Sequence, residues 1–243
     1  TGKPCFDYKQ ENTVKSEDKK IDNLIENGNN VNQEVFPTRV VFEKKGRAKY
    51  ISHLDLNRCM QRVIKRSGLP VWYTEGFNPH LYIMFALALS LGFESGCEIM
   101  DFKLTEDIPF DKVMDRLNSV LPEGLKIVKV YKPVNKHTEI AFAEFNVCIE
   151  GDGARLLCEL NDFLSKDEIL VEKRSKKKGL KTVDIKPNIE IASKVAEEDR
   201  LVINMRLPAG TQMNFNPNLF LDAFSSGTEI SAFVTKIERT KII

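Results

Sequence analysis

From Arg39 onward, apolar and polar positions follow regular periods that the first 37 residues lack. Arg39–Glu43 is a short apolar strand, and Lys44-Lys45-Gly46 is a turn signal. Ser52 with Asp55 three residues on reads as a capped helix start, and Gly68 and Pro70 stop that helix near Ser67. Its apolar stripe is Leu56, Cys59, Met60, Val63 and Ile64. Val71–Thr74 reads as a strand, and Gly76-Phe77-Asn78-Pro79 as a turn. Residues 81–91 are almost wholly apolar, so period alone leaves helix and buried strand both open. Cys97–Leu104 alternates as a strand, Pro109 opens a helix to Val120, and Leu125–Tyr131 is a strand again.

The second half repeats that β-α-β-β-α-β order. Ile140–Glu150 is a strand, Ala154–Leu164 a helix and Glu168–Lys173 a strand. Thr182–Ala192 and Leu201–Leu207 form a hairpin, Asn216 and Pro217 start a helix, and Glu229–Glu238 is the last strand. The pattern predicts an α+β fold of two tandem ferredoxin-like units, 38–133 and 138–243, divided near residues 132–139 by Pro133, Asn135 and Lys136. Phe-Asn-Pro occurs in both halves, at 77–79 and 215–217, by duplication or by chance.

The first 37 residues carry five Lys and seven Asp or Glu with Asn-rich patches, and read as a flexible, disordered tail or linker. Without them, residues 38–243 hold 31 basic and 28 acidic residues, which excludes a uniformly basic nucleic-acid binder but not a local basic face. No apolar run of membrane length and no secretory leader is present, so the expected location is cytoplasmic, without membrane contact. Cysteines stand at 5, 59, 97, 148 and 158, too widely spaced for a disulfide framework or a metal cluster. Free, mostly buried thiols are expected, with no metal site and no cofactor in this chain.

Candidate chemistry concentrates in residues 44–80. Eight cations, Lys44, Lys45, Arg47, Lys49, Arg58, Arg62, Lys65 and Arg66, face a single carboxylate, Asp55, between 44 and 66. Arg58, Arg62 and Arg66 recur at every fourth residue and form one stripe on the first helix, beside its apolar stripe. Like charges at that spacing repel by about 0.2–0.5 kcal/mol per pair, so the stripe reads as an anion-binding (phosphate or RNA) face, an ordinary solvated face or a protein interface. Lys49 and the nearby Tyr73, Phe77 and Asn78 extend the candidate RNA- or phosphate-binding set. His53, at the helix start, and His80, after the proline turn, are the candidate catalytic groups, and each could equally be structural. A helix N-terminus favours a neutral imidazole, the form that serves as general base on a ribose hydroxyl. Lys173–Lys178 is a second basic run, read first as a solvated hairpin tip. Phosphate-loop, dinucleotide-binding, zinc-protease and nucleophile-elbow motifs are absent from the sequence.

Gly46–Tyr50, Ile51-Ser52-His53-Leu54-Asp55, Arg58 and Arg62 resemble the opening of the bacterial domain of unknown function linked to radical SAM proteins. So do Ser67-Gly68-Leu69-Pro70, Glu75-Gly76-Phe77-Asn78-Pro79-His80 and Leu91-Gly92-Phe93-Glu94-Ser95, and more weakly Val183–Pro187 and Pro208-Ala209-Gly210. Leu81 and Gly96 depart from the family's usual residues. The resemblance implies a module beside or fused behind a radical SAM enzyme, in trans or in cis. Thr1 and the tail fit a fused C-terminal module. The chain lacks the three-cysteine motif of the radical SAM catalyst, and it is not expected to be an enzyme alone. Three functions follow as expectations. The first is an accessory module that binds tRNA or rRNA or presents substrate to the radical SAM partner. The second is a protein–protein adaptor without nucleic acid. The third is a metal-independent RNA endonuclease, similar in architecture to CRISPR repeat-processing enzymes, using His53 with Arg58 or Arg62.

Overall fold

The computed structural model describes residues 34–175, 179–211, 213–227 and 233–243. Most of the expected tail, residues 1–33, lies outside the described residues. Phe36 and Pro37, at its end, instead begin the first strand. The strands are β1 Phe36–Lys44, β2 Ile83–Phe85, β3 Glu94–Leu104, β4 Leu125–Tyr131, β5 Phe142–Glu150, β6 Leu170–Ser175, β7 Gly179–Asp184, β8 Glu190–Ala196, β9 Arg200–Pro208 and β10 Phe233–Ile242. The helices are α1 His53–Arg66, α2 Phe110–Asn118, α3 Gly153–Ser165 and α4 Pro217–Ser226. The fold is mixed α+β, built on one large mixed sheet.

That sheet has the order β4-β1-β3-β10-β5-β9-β8, with β2 on β3. Two separate sheets were expected, but the halves run together because β10 pairs in parallel with the start of β3, Glu238 opposite Glu94 and Arg239 opposite Ser95. β2 covers only Met100–Phe102 on that edge of β3, which leaves Glu94 and Ser95 free for β10. The first core packs Val40, Phe42, Met100, Phe102 and Ile127 under α1 and α2. The second packs Phe145, Val147, Leu201, Ile203 and Ile237 under α3 and α4.

The other departures have local causes. Glu168–Lys173 was expected in the main sheet, but β6 pairs with β7 in a separate ribbon. Pro187, in a short 3-10 turn at Lys186–Asn188, splits the expected strand 182–192 into β7 and β8, since proline has no N–H for the ladder. Val71–Thr74 makes only isolated bridges, Val71 to Leu104 and Tyr73 to Leu81. The undecided run 81–91 is apolar because it lies over two cores in turn: Leu81, Ile83 and Phe85 pack in the first, Leu87 and Leu89 in the second. The two Phe-Asn-Pro segments occupy unlike places, one in an exposed turn before β2 and the other at the start of α4, so they do not mark equivalent positions.

Candidate functional site

The capping that starts α1 is reciprocal. Ser52 Oγ accepts the Asp55 N–H at 3.2 Å and donates to the Asp55 carboxylate at 2.7 Å. That hydroxyl, followed by the Arg58 guanidinium, holds the Asp55 carboxyl below its ordinary range. Arg58 Nη1 lies 3.1 Å from Asp55, so Arg58 is partly neutralised. Arg62, Lys65 and Arg66 are exposed and have no ion-pair partner among the described residues. Arg62 and Arg66 border a groove of about 460 Å³ whose opposite wall is Ser119, Val120, Leu121 and Pro122, the turn after α2. Burial pushes the Cys59 thiol in this wall up, against the opposing pull of Arg62.

The expected site residues fall into separate groups. At about 100° per residue, Arg58, Arg62 and Arg66 stand about 140°, 180° and 220° around α1 from His53. His53 turns to the β2 side, half-buried, with its ring 5.3 Å from Phe85 in an edge-to-face contact. His80 sits in an exposed loop, its Nδ1 2.9 Å from Thr74 Oγ1 and 3.3 Å from Asn78 O. The Thr74 N–H donates to His80 O at 2.8 Å and closes that loop, with Phe77 and Asn78 exposed at its tip. Tyr73, at its base, lies under Lys65, whose Nζ is 5.9 Å from the ring. Lys49 belongs to the other end of α1, with its Nζ 5.3 Å from the Tyr50 ring. The structure therefore brings Arg62 and Arg66 together at the groove, and Tyr73, Phe77, Asn78 and His80 in one loop beside Lys65. It does not bring His53 to the stripe or to His80. Side chains of the basic run at 173–178 lie outside the described residues.

Sequence reasoning missed a buried charge cluster where β10 meets β3. Lys44, Glu98 and Arg239 are 1%, 2% and 3% exposed. Arg239 Nη1 donates to both Glu98 oxygens at 3.0 and 3.3 Å, and Nη2 donates to Ala88 O at 2.7 Å. Lys44 Nζ donates to Lys49 O at 3.1 Å. A bulge creates the cluster. Phe42 opposes Glu98 but Lys44 opposes Ser95, so an extra residue on β3 turns both Ser95 and Glu98 inward. Burial pushes the Glu98 carboxyl up, opposed by Arg239, Ser95, Lys44 and His53. Burial also lowers the Lys44 ammonium and raises the neighbouring Cys97 thiol to about 11. The signal was present in the chain: Lys44 continues the inward alternation of Val40 and Phe42, and Arg239 that of Ile237. Of the cysteines expected to be buried, Cys59, Cys97 and Cys148 are half-buried and Cys158 is exposed; Cys5 lies outside the described residues.

A family model described as "Uncharacterized protein conserved in bacteria (DUF2344)" matches residues 38–217. The chain belongs to this family. Its matched segment covers α1, the groove and the β3 bulge, and ends at the first residue of α4, before β10 and Arg239. No curated protein matches the DUF2344 chain in sequence. Among solved structures it is similar to a chain of the "Crystal Structure of a Cbf5-Nop10-Gar1 Complex", at TM-score 0.44 and 10% identity over 84% of this chain. The DUF2344 chain spans 48% of the length of that chain, about half. No helix among the described residues is long and apolar enough to cross a membrane.

Proposed function

We propose that this bacterial DUF2344 chain is a cytoplasmic accessory module that binds RNA, tRNA or rRNA, through α1 and so helps present substrate to a radical SAM partner. The observation that carries the reading is the pair Arg62 and Arg66, exposed, without a carboxylate partner among the described residues, on the rim of a groove of about 460 Å³. Guanidinium groups take phosphate oxygens two at a time, and Lys65 beside Tyr73 adds a cation and an aromatic face within the same stretch. We also read the two halves, 38–133 and 138–243, as ferredoxin-like units with merged sheets, because β4-β1-β3-β2 and β10-β5-β9-β8 follow one pattern of strand order. The sequence supports the radical SAM link through the blocks at 46–55, 67–70 and 75–80.

The test is anisotropy with a labelled tRNA and a labelled single-stranded RNA across a salt series. Binding at low salt is expected, and Arg62→Ala with Arg66→Ala should lower the slope of log affinity against log salt by up to about 1.4–1.8. No binding by the parent chain at low salt sinks the reading. One observation favours a second reading, an adaptor that docks on the radical SAM protein without nucleic acid. Tyr50 and Leu91 are well exposed and flank the hydrogen bond from Gly92 N–H to Lys49 O, with Leu54 exposed on the next turn. Under that reading Leu54→Asp and Leu91→Asp abolish capture of the partner while the arginine pair is dispensable.

A further inference from the structure

The region where the halves join holds a small, partly open cavity of about 40 Å³, lined by Leu87, Ala88, Ser90, Phe93, Phe145 and Arg239 and by residues 209 and 214–217. A single water needs about 10–15 Å³, so there is room for about three water-sized positions. Two donors face it. Arg239 Nε is buried and has no hydrogen-bond partner among the described residues. It shares one edge of the guanidinium with Nη2, and Nη2 donates to Ala88 O in the cavity wall. Ser90 Oγ accepts from Asn216 Nδ2 at 2.7 Å, which leaves its own O–H to donate.

Charge favours an anion over neutral water. Lys44 and Glu98 both come from the first half and balance one another. β10 then adds Arg239, and no other buried carboxylate accompanies it among the described residues. Phe93, Phe145 and Phe215 wall the space with apolar surface, and in such surroundings charged hydrogen bonds are strong.

We infer that this cavity is a binding site for a small planar monoanion, a free carboxylate of formate size or bicarbonate, held by Arg239 Nε–H and Ser90 O–H. The site is independent of the RNA-binding reading, since Arg62 and Arg66 take no part in it. The experiment follows the thermal unfolding midpoint of the full chain with sodium formate and, separately, sodium bicarbonate, each against sodium chloride at equal ionic strength and pH. A ligand of the folded state raises the midpoint in a concentration-dependent way set by its dissociation constant. A rise with formate or bicarbonate over chloride is expected. Arg239→Lys keeps the charge but lacks the Nε edge, and should weaken the apparent affinity about tenfold or more. Ser90→Ala should weaken it about fivefold, and decides the matter if Arg239→Lys does not fold. Arg62→Ala with Arg66→Ala should bind as the parent does. Coincident curves for formate, bicarbonate and chloride, meaning that water alone fills the cavity, overturn the proposal. So does parental affinity in Ser90→Ala.

Discussion

The helix that follows the first strand of each half does the same packing with opposite charge. α1 buries Leu56, Met60, Val63 and Ile64, and α3 buries Leu156, Leu160 and Phe163. Each is capped by a side chain, Ser52 in α1 and Asp152 in α3. Yet α1 carries four Lys or Arg against one carboxylate, and α3 one Arg against two carboxylates. Packing a helix on this sheet therefore does not require the cations of α1. Their exposure and the groove beside Arg62 and Arg66 turn them away from the core, to the surface. A second contrast lies inside the molecule. The cations of α1 remain in water, whereas Lys44 and Arg239 are buried and must be answered by Glu98.

Breaking the inner side of that contrast has the largest expected effect. Glu98→Ala strands two buried cations and should lower the unfolding free energy by about 3–5 kcal/mol, read by urea denaturation; a loss under 1 kcal/mol would mean that water reaches the cluster. Core truncation compares the halves directly. Met60→Ala under α1 and Leu160→Ala under α3 should each cost about 2–5 kcal/mol. Because the sheet is continuous, each variant should still unfold in one transition by circular dichroism, and a second, separate transition would show that the halves are independent.

A smaller effect follows from Lys44. Its ammonium is held below the ordinary 10.5 by burial, so the folded state sheds this proton before the unfolded chain does. The contribution of Lys44 to stability therefore rises with pH up to 10.5. The parent should gain relative to Lys44→Met on moving from neutral to alkaline pH, while the variant keeps the Glu98–Arg239 pair; parallel pH curves would contradict this. The smallest effect belongs to the outer face. Arg62→Ala with Arg66→Ala should change unfolding free energy by no more than about 0.5 kcal/mol per residue, so any loss of RNA binding is not a folding defect. A larger loss would place these arginines in the packing.

Sequence period carried a large part of this architecture because most elements bury one clear face. β4 and the cap and stripe of α1 lie where the alternation and Ser52 place them. The strand ends in the second half differ from the sequence pattern because Pro187, in the 3-10 turn at Lys186–Asn188, splits 182–192. The joining of the sheets was not legible, since it rests on two paired residues of β10 and on how far β2 extends. For the candidate site, the four-residue spacing of Arg58, Arg62 and Arg66 located the exposed face. His53 was placed with it only by nearness in sequence, although helical geometry puts it on the other side. Lys44 reads in sequence as one of eight surface cations, and Glu98 and Arg239 carry no motif, but their inward register on β1, β3 and β10 is the stronger signal.

The placement of β10 also has a consequence for synthesis. Ribosomes deliver the chain from its N-terminus, and domains begin to fold as they emerge. The strand that closes the gap on β3 is translated after every other strand described here. Until then Glu94 and Ser95 present an unpaired edge of the kind that recruits foreign strands. Arg239, the later partner of Glu98, has not yet been made. The nascent first half is thus an intermediate with a defined vacancy in its sheet, open to chaperone capture or to strand exchange with a neighbouring copy, until the arrival of one strand closes it.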